Sequence, residues 1–261
     1  MEARVDGKIV LVTGSTQGIG RAIAVECAKS GAEAIVVSGL DTGAGEQTVS
    51  ELTDLGSEAY LVVEDLTIEG GADRVFDQAS SRFGRIDALV NCAGLTTRGS
   101  TLDATRKLWD ELFQINAKEP FFLMQRMIGT LRRQKRPGEI LNILSMNAHG
   151  GGGELTVYSA TKAALSLITK NAAHQHRFDR IRINGINVGW TDTPAERTMQ
   201  AELLGKGPGW LDEAAAQQPF KRLLSPKDVA SLSVFLLSDV SSPMTGSIVD
   251  QEQWVLGGVD S

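Results

Sequence analysis

The alternation of short apolar runs with longer helical patterns constrains the fold of this chain most strongly. The runs are continuous and rich in β-branched residues, unlike the polar–apolar alternation of a half-exposed strand. They are KIVLVT (8–13), AIVVS (34–38), AYLVV (59–63), DALVN (87–91), EILNILS (139–145), RINGINV (182–188) and a short SIVD (247–250). Because strands that are buried on both faces and alternate with helices form parallel sheets, we expect an α/β fold. The pattern predicts one doubly wound parallel sheet of about seven strands with helices on both faces.

Helical patterns fill most of the sequence between these runs. They cover 18–30, 43–55, 68–83, 103–117, 120–136, 155–177 and 226–238. No linker, repeat or low-complexity tract interrupts the alternation, so we expect a single domain over residues 1–261. The long irregular segment, about 189–218, follows the sixth strand, where doubly wound proteins place ligands. It is predicted to be a substrate lid.

Composition and charge argue against several classes of partner. The net charge is −6 and the pI is about 5.2, which disfavours a nucleic-acid surface. No apolar run reaches the roughly 18–20 residues of a membrane span, and the N-terminus lacks the apolar stretch of a signal peptide. With Cys27 and Cys92 as the two cysteines, a reduced cytoplasmic protein is expected. No metal site is expected either, since His174 and His176 point to different faces of a helix.

A glycine-rich loop follows the first strand and leads into the first helix. It reads Thr13-Gly14-Ser15-Thr16-Gln17-Gly18-Ile19-Gly20. Gly14 would permit a sharp turn, Gly18 would let the backbone approach a pyrophosphate at the helix N-terminus, and Gly20 would permit close helix packing. This strand–turn–helix arrangement at the start of an α/β sheet predicts an NAD(P)-binding domain of the Rossmann type.

The choice of dinucleotide depends on the end of the second strand. A carboxylate about 20 residues after the glycine loop accepts the ribose hydroxyls of NAD, whereas an Arg accepts the 2′-phosphate of NADP. Asp41 stands in that place, and no Arg or Lys follows until Arg74. We therefore expect NAD to be favoured over NADP, although Asp41 could instead merely cap the helix that begins near Thr42.

Four motifs, in order along the chain, match those of one enzyme family. They are the glycine loop, Asn91-Cys92-Ala93-Gly94, the series Asn116, Ser145, Tyr158 and Lys162, and Val188-Gly189-Trp190-Thr191-Asp192-Thr193. Together they resemble the cofactor loop, the Asn-Asn-Ala-Gly turn, the catalytic tetrad and the Pro-Gly-x-x-x-Thr stretch of the classical short-chain dehydrogenase/reductase family. The chain departs from that pattern at Cys92, at Val188 in place of proline, and at Asp250-Gln251-Glu252-Gln253 in place of Asp-Gly-Gly.

The resemblance implies roles for particular residues. The catalytic residues would be Asn116, Ser145, Tyr158 and Lys162. Asp65 would accept a hydrogen bond from the adenine amino group, and Thr193 would hold the carboxamide. The cofactor would be bound by Gly14, Thr16, Gln17, Gly18, Ile19, Gly20, Asp41, Asp65, Leu66, Asn91, Ala93, Gly94, Tyr158, Lys162, Gly189, Thr191 and Thr193. A homotetramer is also implied, built from the helices at 103–136 and 155–177 and from the C-terminal segment.

The spacing of Tyr158 and Lys162 suits proton transfer that is coupled to hydride transfer. Tyrosine has an unperturbed pKa of about 10 and is a poor base near neutrality. An ammonium group one helical turn away stabilises the phenolate, and the positive nicotinamide of the oxidised cofactor adds to this effect. A lowered pKa for Tyr158 is therefore expected. Ser145 would hydrogen-bond the substrate oxygen, and Asn116 would hold a water that links Lys162 to solvent, as in the family.

The substrate is a small molecule whose class the sequence indicates less directly. Asn147, His149 and Trp190, together with Glu196 and Gln253, could line a polar pocket suited to a polyol or sugar, although His149 could equally be an ordinary loop residue. The leading hypothesis is an NAD(P)-dependent oxidoreductase that interconverts a secondary alcohol and its ketone. An NADPH-dependent carbonyl reductase and a non-catalytic dinucleotide-sensing protein are the alternatives.

Overall fold

A seven-stranded parallel sheet forms the centre of the computed structural model, which describes residues 2–257. Its strands are β1 (Ile9–Thr13), β2 (Ala34–Gly39), β3 (Glu58–Val63), β4 (Ala88–Asn91), β5 (Gly138–Ser145), β6 (Ile181–Val188) and β7 (Ile248–Gln251). The order β3-β2-β1-β4-β5-β6-β7 reverses direction between β1 and β4, which is the topological switch point of a doubly wound sheet. The predicted Rossmann-type fold is confirmed; both ends of the predicted domain range, residue 1 and residues 258–261, lie outside the described residues.

Helices cover both faces of this sheet. They are α1 (Gly18–Lys29), α2 (Thr42–Asp54), α3 (Gly71–Phe83), α4 (Arg106–Phe113), α5 (Glu119–Gln134), α6 (Thr156–His176), α7 (Pro194–Thr198), α8 (Trp210–Gln217) and α9 (Pro226–Leu237). Successive side chains of a strand point to opposite faces. Val10 of β1 accordingly packs in one core with Ile23 of α1, and its neighbour Leu11 packs in a second core with Leu123 of α5.

Helices α4 and α5 are joined by a π-helical turn, Gln114–Lys118, which places Asn116 in the interior with no exposed surface. Such turns often occur at functional sites. The predicted helix at 103–117 begins later than expected because Asp103 accepts hydrogen bonds from Ser100, and Thr105 caps α4 instead. The segment from α4 to α5 therefore carries a candidate catalytic residue at its distortion.

The predicted lid, 189–218, is more ordered than its sequence indicates. It contains α7, a π-helical turn (Met199–Leu203) and α8, and its own small core of Trp210, Ala214 and Leu223. The Trp190 ring packs against this core, 6.1 Å from the Trp210 ring. Because Trp190 directly follows β6, these contacts fix the lid to the carboxyl edge of the sheet.

The sequence predicted neither a membrane-spanning helix nor a metal site, and the structure can be searched for both among residues 2–257. No helix within residues 2–257 combines the length and the apolar character that crossing a membrane requires. The same residues contain no cluster of three or more His, Cys, Asp or Glu side chains able to hold a metal ion.

Candidate active site

A cavity of about 510 Å³ lies at the carboxyl ends of β1, β4, β5 and β6, next to the switch point. The lid and the C-terminal segment close its outer side. Its lining includes many of the residues singled out in the sequence: Gly14, Gln17, Gly18, Ile19, Gly20, Gly94, Ser145, Asn147, Tyr158, Lys162, Gly189, Trp190, Thr191, Thr193 and Glu196. The fold thus brings the glycine loop, three of the four candidate catalytic residues and the lid to one place.

The glycine loop depends on the absence of side chains at two of its positions. Gly14 has φ +64°, and a Cβ there would lie 2.7 Å from the Cα of Ala93, at the end of β4. A Cβ on Gly20 would overlap the carbonyl oxygen of Gly14. Gly20 therefore allows α1 to pack closely against the glycine loop. The sequence predicted that Gly20 would allow close packing against the sheet instead. Any larger residue at either position would displace the loop from the β4 edge.

The start of α1 fits a pyrophosphate group. Gln17 precedes the helix, and no side chain within the described residues caps its first turn. The free N–H groups of a helix N-terminus attract anions through hydrogen bonds and the helix dipole. Gln17, Gly18 and Ile19 all line the cavity at this point. The residues present therefore fit a dinucleotide cofactor.

Several other predicted cofactor residues lie behind the cavity wall. Asn91 donates a hydrogen bond to Asn142 Oδ1 at 2.8 Å and belongs to the buried interior. Ala93 donates its backbone N–H to Thr13 Oγ1 at 3.1 Å. Thr16 and Leu66 are also buried. These residues are not among the cavity-lining side chains, and of them Ala93 contacts the glycine loop directly.

Asp41 and Asp65 lie at the ends of β2 and β3, outside the cavity lining. Asp41 Oδ1 accepts a hydrogen bond from Ala44 N at 3.0 Å and caps α2. Asp65 Oδ1 accepts from the backbone N–H and the hydroxyl of Thr67 at 2.8 and 2.7 Å. In each case the second carboxylate oxygen makes no hydrogen bond to another described residue, so each can cap a turn and still accept a further donor.

Tyr158 and Lys162 lie on the cavity side of α6, and both are nine-tenths buried or more. The Lys162 ammonium is 5.9 Å from the centre of the Tyr158 ring and donates a hydrogen bond to the carbonyl of Ile143 at 2.9 Å. Ser145, at the end of β5, accepts from Asn147 N at 3.2 Å. The phenol of Tyr158 also interacts with the Ser145 hydroxyl, so the two hydroxyl groups lie together at the carboxyl end of β5.

Asn116 connects α6, which carries Tyr158 and Lys162, to a neighbouring loop. Its Oδ1 accepts from Leu95 N at 2.9 Å, and its Nδ2 donates to Leu95 O at 2.9 Å and to Thr161 Oγ1 at 3.1 Å. These contacts join the loop after β4 to helix α6. A Cβ on Gly94 would lie 2.8 Å from Asn116 Oδ1, so glycine is needed for the loop to pass.

Burial shifts both candidate catalytic groups toward their neutral forms. Desolvation raises the pKa of Tyr158, a hydrogen bond with Ser145 lowers it in part, and the charge of Glu196 raises it further. Desolvation also lowers the pKa of Lys162 to about 8. The expected lowering of the Tyr158 pKa is therefore wrong for the protein by itself, because loss of water outweighs the hydrogen bond with Ser145. The positive ring of an oxidised nicotinamide is the charge that would favour the phenolate in the complex.

Two of the substrate candidates are held away from the cavity. His149 Nε2 lies 3.0 Å from Asp250 Oδ1 and 2.9 Å from Asn187 Nδ2, so this side chain is tied to the pairing of β6 with β7. Gln253 Oε1 accepts a hydrogen bond from Phe220 N, and its Nε2 donates to Arg222 O, both of which follow the lid in the chain. Neither residue lines the cavity, so the structure does not support the expectation of substrate contact for either.

The cavity also includes residues that the sequence did not identify. Arg98 follows β4, Gln200 lies in the lid, and Glu252 follows β7; all three line the cavity. Glu252 Oε2 accepts from Trp190 N at 3.4 Å. Two signals were available: Gln200 is four residues after Glu196 on one helical face, and Glu252 stands in the atypical 250–253 segment. Arg98 had no such signal.

Comparisons with known proteins agree with this geometry. A family model described as enoyl-(acyl carrier protein) reductase matches residues 14–252. The chain is 32% identical to the short-chain dehydrogenase/reductase FrzI of Cladobotryum sp, over 93% of each chain. The chain belongs to the short-chain dehydrogenase/reductase family. The resemblance found in the sequence is thereby confirmed.

Two further proteins to which this chain is similar differ in the substrates that their names state. A 2-dehydro-3-deoxy-D-gluconate 5-dehydrogenase of Dickeya dadantii is 29% identical over 92% of each chain. An L-sorbose reductase of Gluconobacter frateurii, solved in complex with NADPH and L-sorbose, is 29% identical with a TM-score of 0.92, covering 99% of this chain and 100% of that one. This protein is an NAD(P)-dependent oxidoreductase that interconverts a secondary alcohol and its ketone, as expected.

Proposed function

We propose that this enzyme is an NAD-preferring dehydrogenase of a polyol or sugar. The observation that carries the proposal is the single cavity lined by the glycine loop at the N-terminus of α1, by Ser145, Tyr158 and Lys162, and by the lid. The start of α1 would hold the pyrophosphate of a dinucleotide, and Tyr158 and Lys162 on α6 would lie beside its reactive end. The sugar substrates named for the L-sorbose reductase and for the gluconate dehydrogenase support the substrate class.

Each candidate catalytic residue has a distinct part in this proposal. Bound nicotinamide supplies or accepts the hydride. Tyr158 gives a proton to the substrate oxygen in reduction and removes it in oxidation, while Ser145 donates a hydrogen bond to the same oxygen. Lys162 contributes positive charge beside the phenol, and the hydrogen bonds of Asn116 hold α6 and the loop after β4 together.

Preference for NAD rests on the end of β2. Leu40 is 63% exposed there, beside the acidic Asp41, and the nearby Arg21 is engaged in an ion pair with Glu51. The cations of α1 are Arg21, which is paired with Glu51, and Lys29, which lies in the last turn of the helix away from the glycine loop. A 2′-phosphate at the end of β2 would therefore lack a free cation from β2 or from the first turns of α1. The alternative, an NADPH-dependent carbonyl reductase, is supported by the NADPH bound in the L-sorbose reductase structure.

The assembly that we propose is a homotetramer of single-domain subunits, with residues 189–218 as the substrate lid. Exposed aromatic and aliphatic side chains, among them Trp109 and Phe121, form a groove between α4, α5 and α6, which are the expected interface helices. In the C-terminal segment, Val255 is also exposed. Light scattering after gel filtration should show a tetramer that Phe121→Glu dissociates; a monomeric wild-type protein would contradict this assembly.

A cytoplasmic location is also proposed. Cys27 and Cys92 are both free thiols, and desolvation raises the pKa of each to about 12. Unreactive, unpaired thiols suit a reducing compartment. Fractionation of the native cell, with recovery of the protein outside the cytoplasmic fraction, would contradict this location.

The function is tested by following nicotinamide absorbance. Purified protein is mixed with NAD⁺ or NADP⁺ and a panel of polyols, and with NADH or NADPH and the matching ketoses. The proposal expects turnover of at least one polyol–ketose pair, faster with NAD(H). Faster turnover with NADPH would favour the carbonyl reductase, and cofactor binding without any turnover would favour the sensor.

A further inference from the structure

The lid presents a hydrogen-bonded side-chain group to the cavity, which we call the lid triad: Trp190, Glu196 and Gln200. Trp190 Nε1 donates to Glu196 Oε1 at 2.8 Å, and Gln200 Nε2 donates to the same oxygen at 2.6 Å. All three residues line the cavity. Hydrogen bonds to a carboxylate are stronger than neutral ones, so two donors on one oxygen hold this carboxylate in a fixed orientation.

The triad leaves two acceptors without a donor. Glu196 Oε2 makes no hydrogen bond to residues 2–257. Gln200 is 4% exposed, and its Oε1 is buried without a partner among the same residues. The Gln200 amide cannot simply be reversed, because its oxygen would then face the carboxylate of Glu196. Gln200 Oε1 is closed to solvent, whereas Glu196 Oε2 is not among the buried unpaired atoms. Glu196 Oε2 is therefore the acceptor that the wall offers to a ligand hydroxyl group.

The charge of Glu196 also acts on the hydroxyl group of Tyr158, the proposed proton donor. The charged residues among the described cavity lining are Arg98, Lys162, Glu196 and Glu252. Of these, Glu196 is the one whose charge contributes to the raised pKa of Tyr158, beside the larger effect of burial and the opposing hydrogen bond with Ser145. Because the carboxylate and the phenol also line the same cavity, a substrate carbon skeleton bound there would lie between them.

We propose that Glu196, held by Trp190 and Gln200, accepts a hydrogen bond from a second hydroxyl group of the substrate. This lid subsite selects hydroxylated ketones and polyols over simple ketones and alcohols. The inference rests on the proposed function and names the specificity-determining residue for it. A site built to bind a hydroxyl discriminates strongly against an analogue that lacks it, because its polar groups are then left unpaired.

The test compares three four-carbon ketones in the reduction assay: 2-butanone, 3-hydroxy-2-butanone and erythrulose. In Glu196→Gln the side chain keeps its size and an oxygen for Trp190 and Gln200, but it turns an N–H toward the substrate. We expect kcat/KM to fall about 10- to 100-fold for the two hydroxylated ketones and to change less than about two-fold for 2-butanone. Glu202→Gln, an exposed lid position outside the cavity lining, is the matched control and should change none of the three.

A pH profile gives a second readout that a merely structural role would not move. Removing a negative charge near a phenol makes its ionised form less unfavourable. The apparent pKa that limits oxidation should therefore fall in Glu196→Gln and stay unchanged in Glu202→Gln. An equal loss with all three ketones, or no shift of the profile, would overturn the lid subsite while leaving the proposed function standing. Failure of the wild-type enzyme to turn over these three ketones and every polyol–ketose pair of the panel would overturn the proposed function itself.

Discussion

The two halves of the cavity are built in different ways. On the cofactor side, the loop from Gly14 to Gly20 offers backbone N–H groups to the cofactor. Its geometry depends on the lack of side chains at Gly14 and Gly20. On the substrate side, Glu196 and Gln200 of the lid and Glu252 of the C-terminal segment contribute side chains from two separate segments. The comparison teaches that the cofactor half is encoded locally, whereas the substrate half exists only once the lid and the C-terminal segment have packed onto the sheet.

The largest effect is expected at the boundary between the halves. Tyr158→Phe removes the proton donor but leaves the glycine loop intact, so turnover should fall at least ~10³-fold, about 4 kcal/mol in barrier, while the dissociation constant for the cofactor stays near that of the wild type. Steady-state kinetics and a fluorescence titration with NADH measure the two quantities. Tyr60→Phe, on β3, serves as the control. Near wild-type turnover in Tyr158→Phe would show that the chemistry lies elsewhere.

A change in the cofactor half should have the opposite signature. In Gly14→Ala, the new Cβ would meet Ala93 Cα at 2.7 Å, so the loop must move and cofactor affinity should drop by roughly 10-fold or more. Gly7→Ala is the matched control, since Gly7 has a similar φ of +68° with no atom within 4 Å of the added carbon. It should lose stability of about 1 kcal/mol and keep its affinity. Equal affinities in the two variants would remove the contrast between the halves.

One side chain of the cofactor half is expected to set the choice of dinucleotide. Leu40→Arg would place a cation beside the ribose position and should raise kcat/KM for NADP⁺ relative to NAD⁺ by about 10-fold. Leu40→Met, which is similar in size and uncharged, should leave the ratio unchanged. The kinetic ratio for both cofactors checks this, and a wild-type preference for NADP⁺ would contradict the role assigned to Leu40 and Asp41.

The last expected effect is on stability and concerns the buried ammonium of Lys162, which lines the cavity. Because burial depresses the pKa of Lys162 to about 8 from 10.5, the unfolded chain binds more protons than the folded protein between these values. Its contribution to the free energy of unfolding should therefore rise with pH from about 8 to 10.5. Thermal melts of cofactor-free protein should show a shallower rise, or a steeper fall, for Lys162→Met than for the wild type. Parallel curves would mean that Lys162 is better solvated than its surroundings indicate.

The strands and the glycine loop could be read from the sequence because their signals are local. All seven apolar runs became strands, as continuous β-branched stretches of a parallel sheet do, although the edge strands β3 and β7 are only partly buried. The start of α4 was misplaced because Asp103 forms a turn with Ser100, a local competition that hydrophobic periodicity does not report. His149 was drawn away from the cavity by Asp250, a partner about a hundred residues later that only the β6–β7 pairing brings near.

The sequence by itself determined the sheet, the cofactor loop and the order of the candidate catalytic residues, because each is carried by a short stretch whose spacing is meaningful without its neighbours. Tertiary structure alone decided the direction of the Tyr158 pKa, the hold of Asp250 on His149, and the meeting of Glu252 with the lid at one cavity. The physical reason is that desolvation and hydrogen-bond pairing depend on which distant segments exclude water from a group. That property belongs to the folded protein and is absent from any single motif.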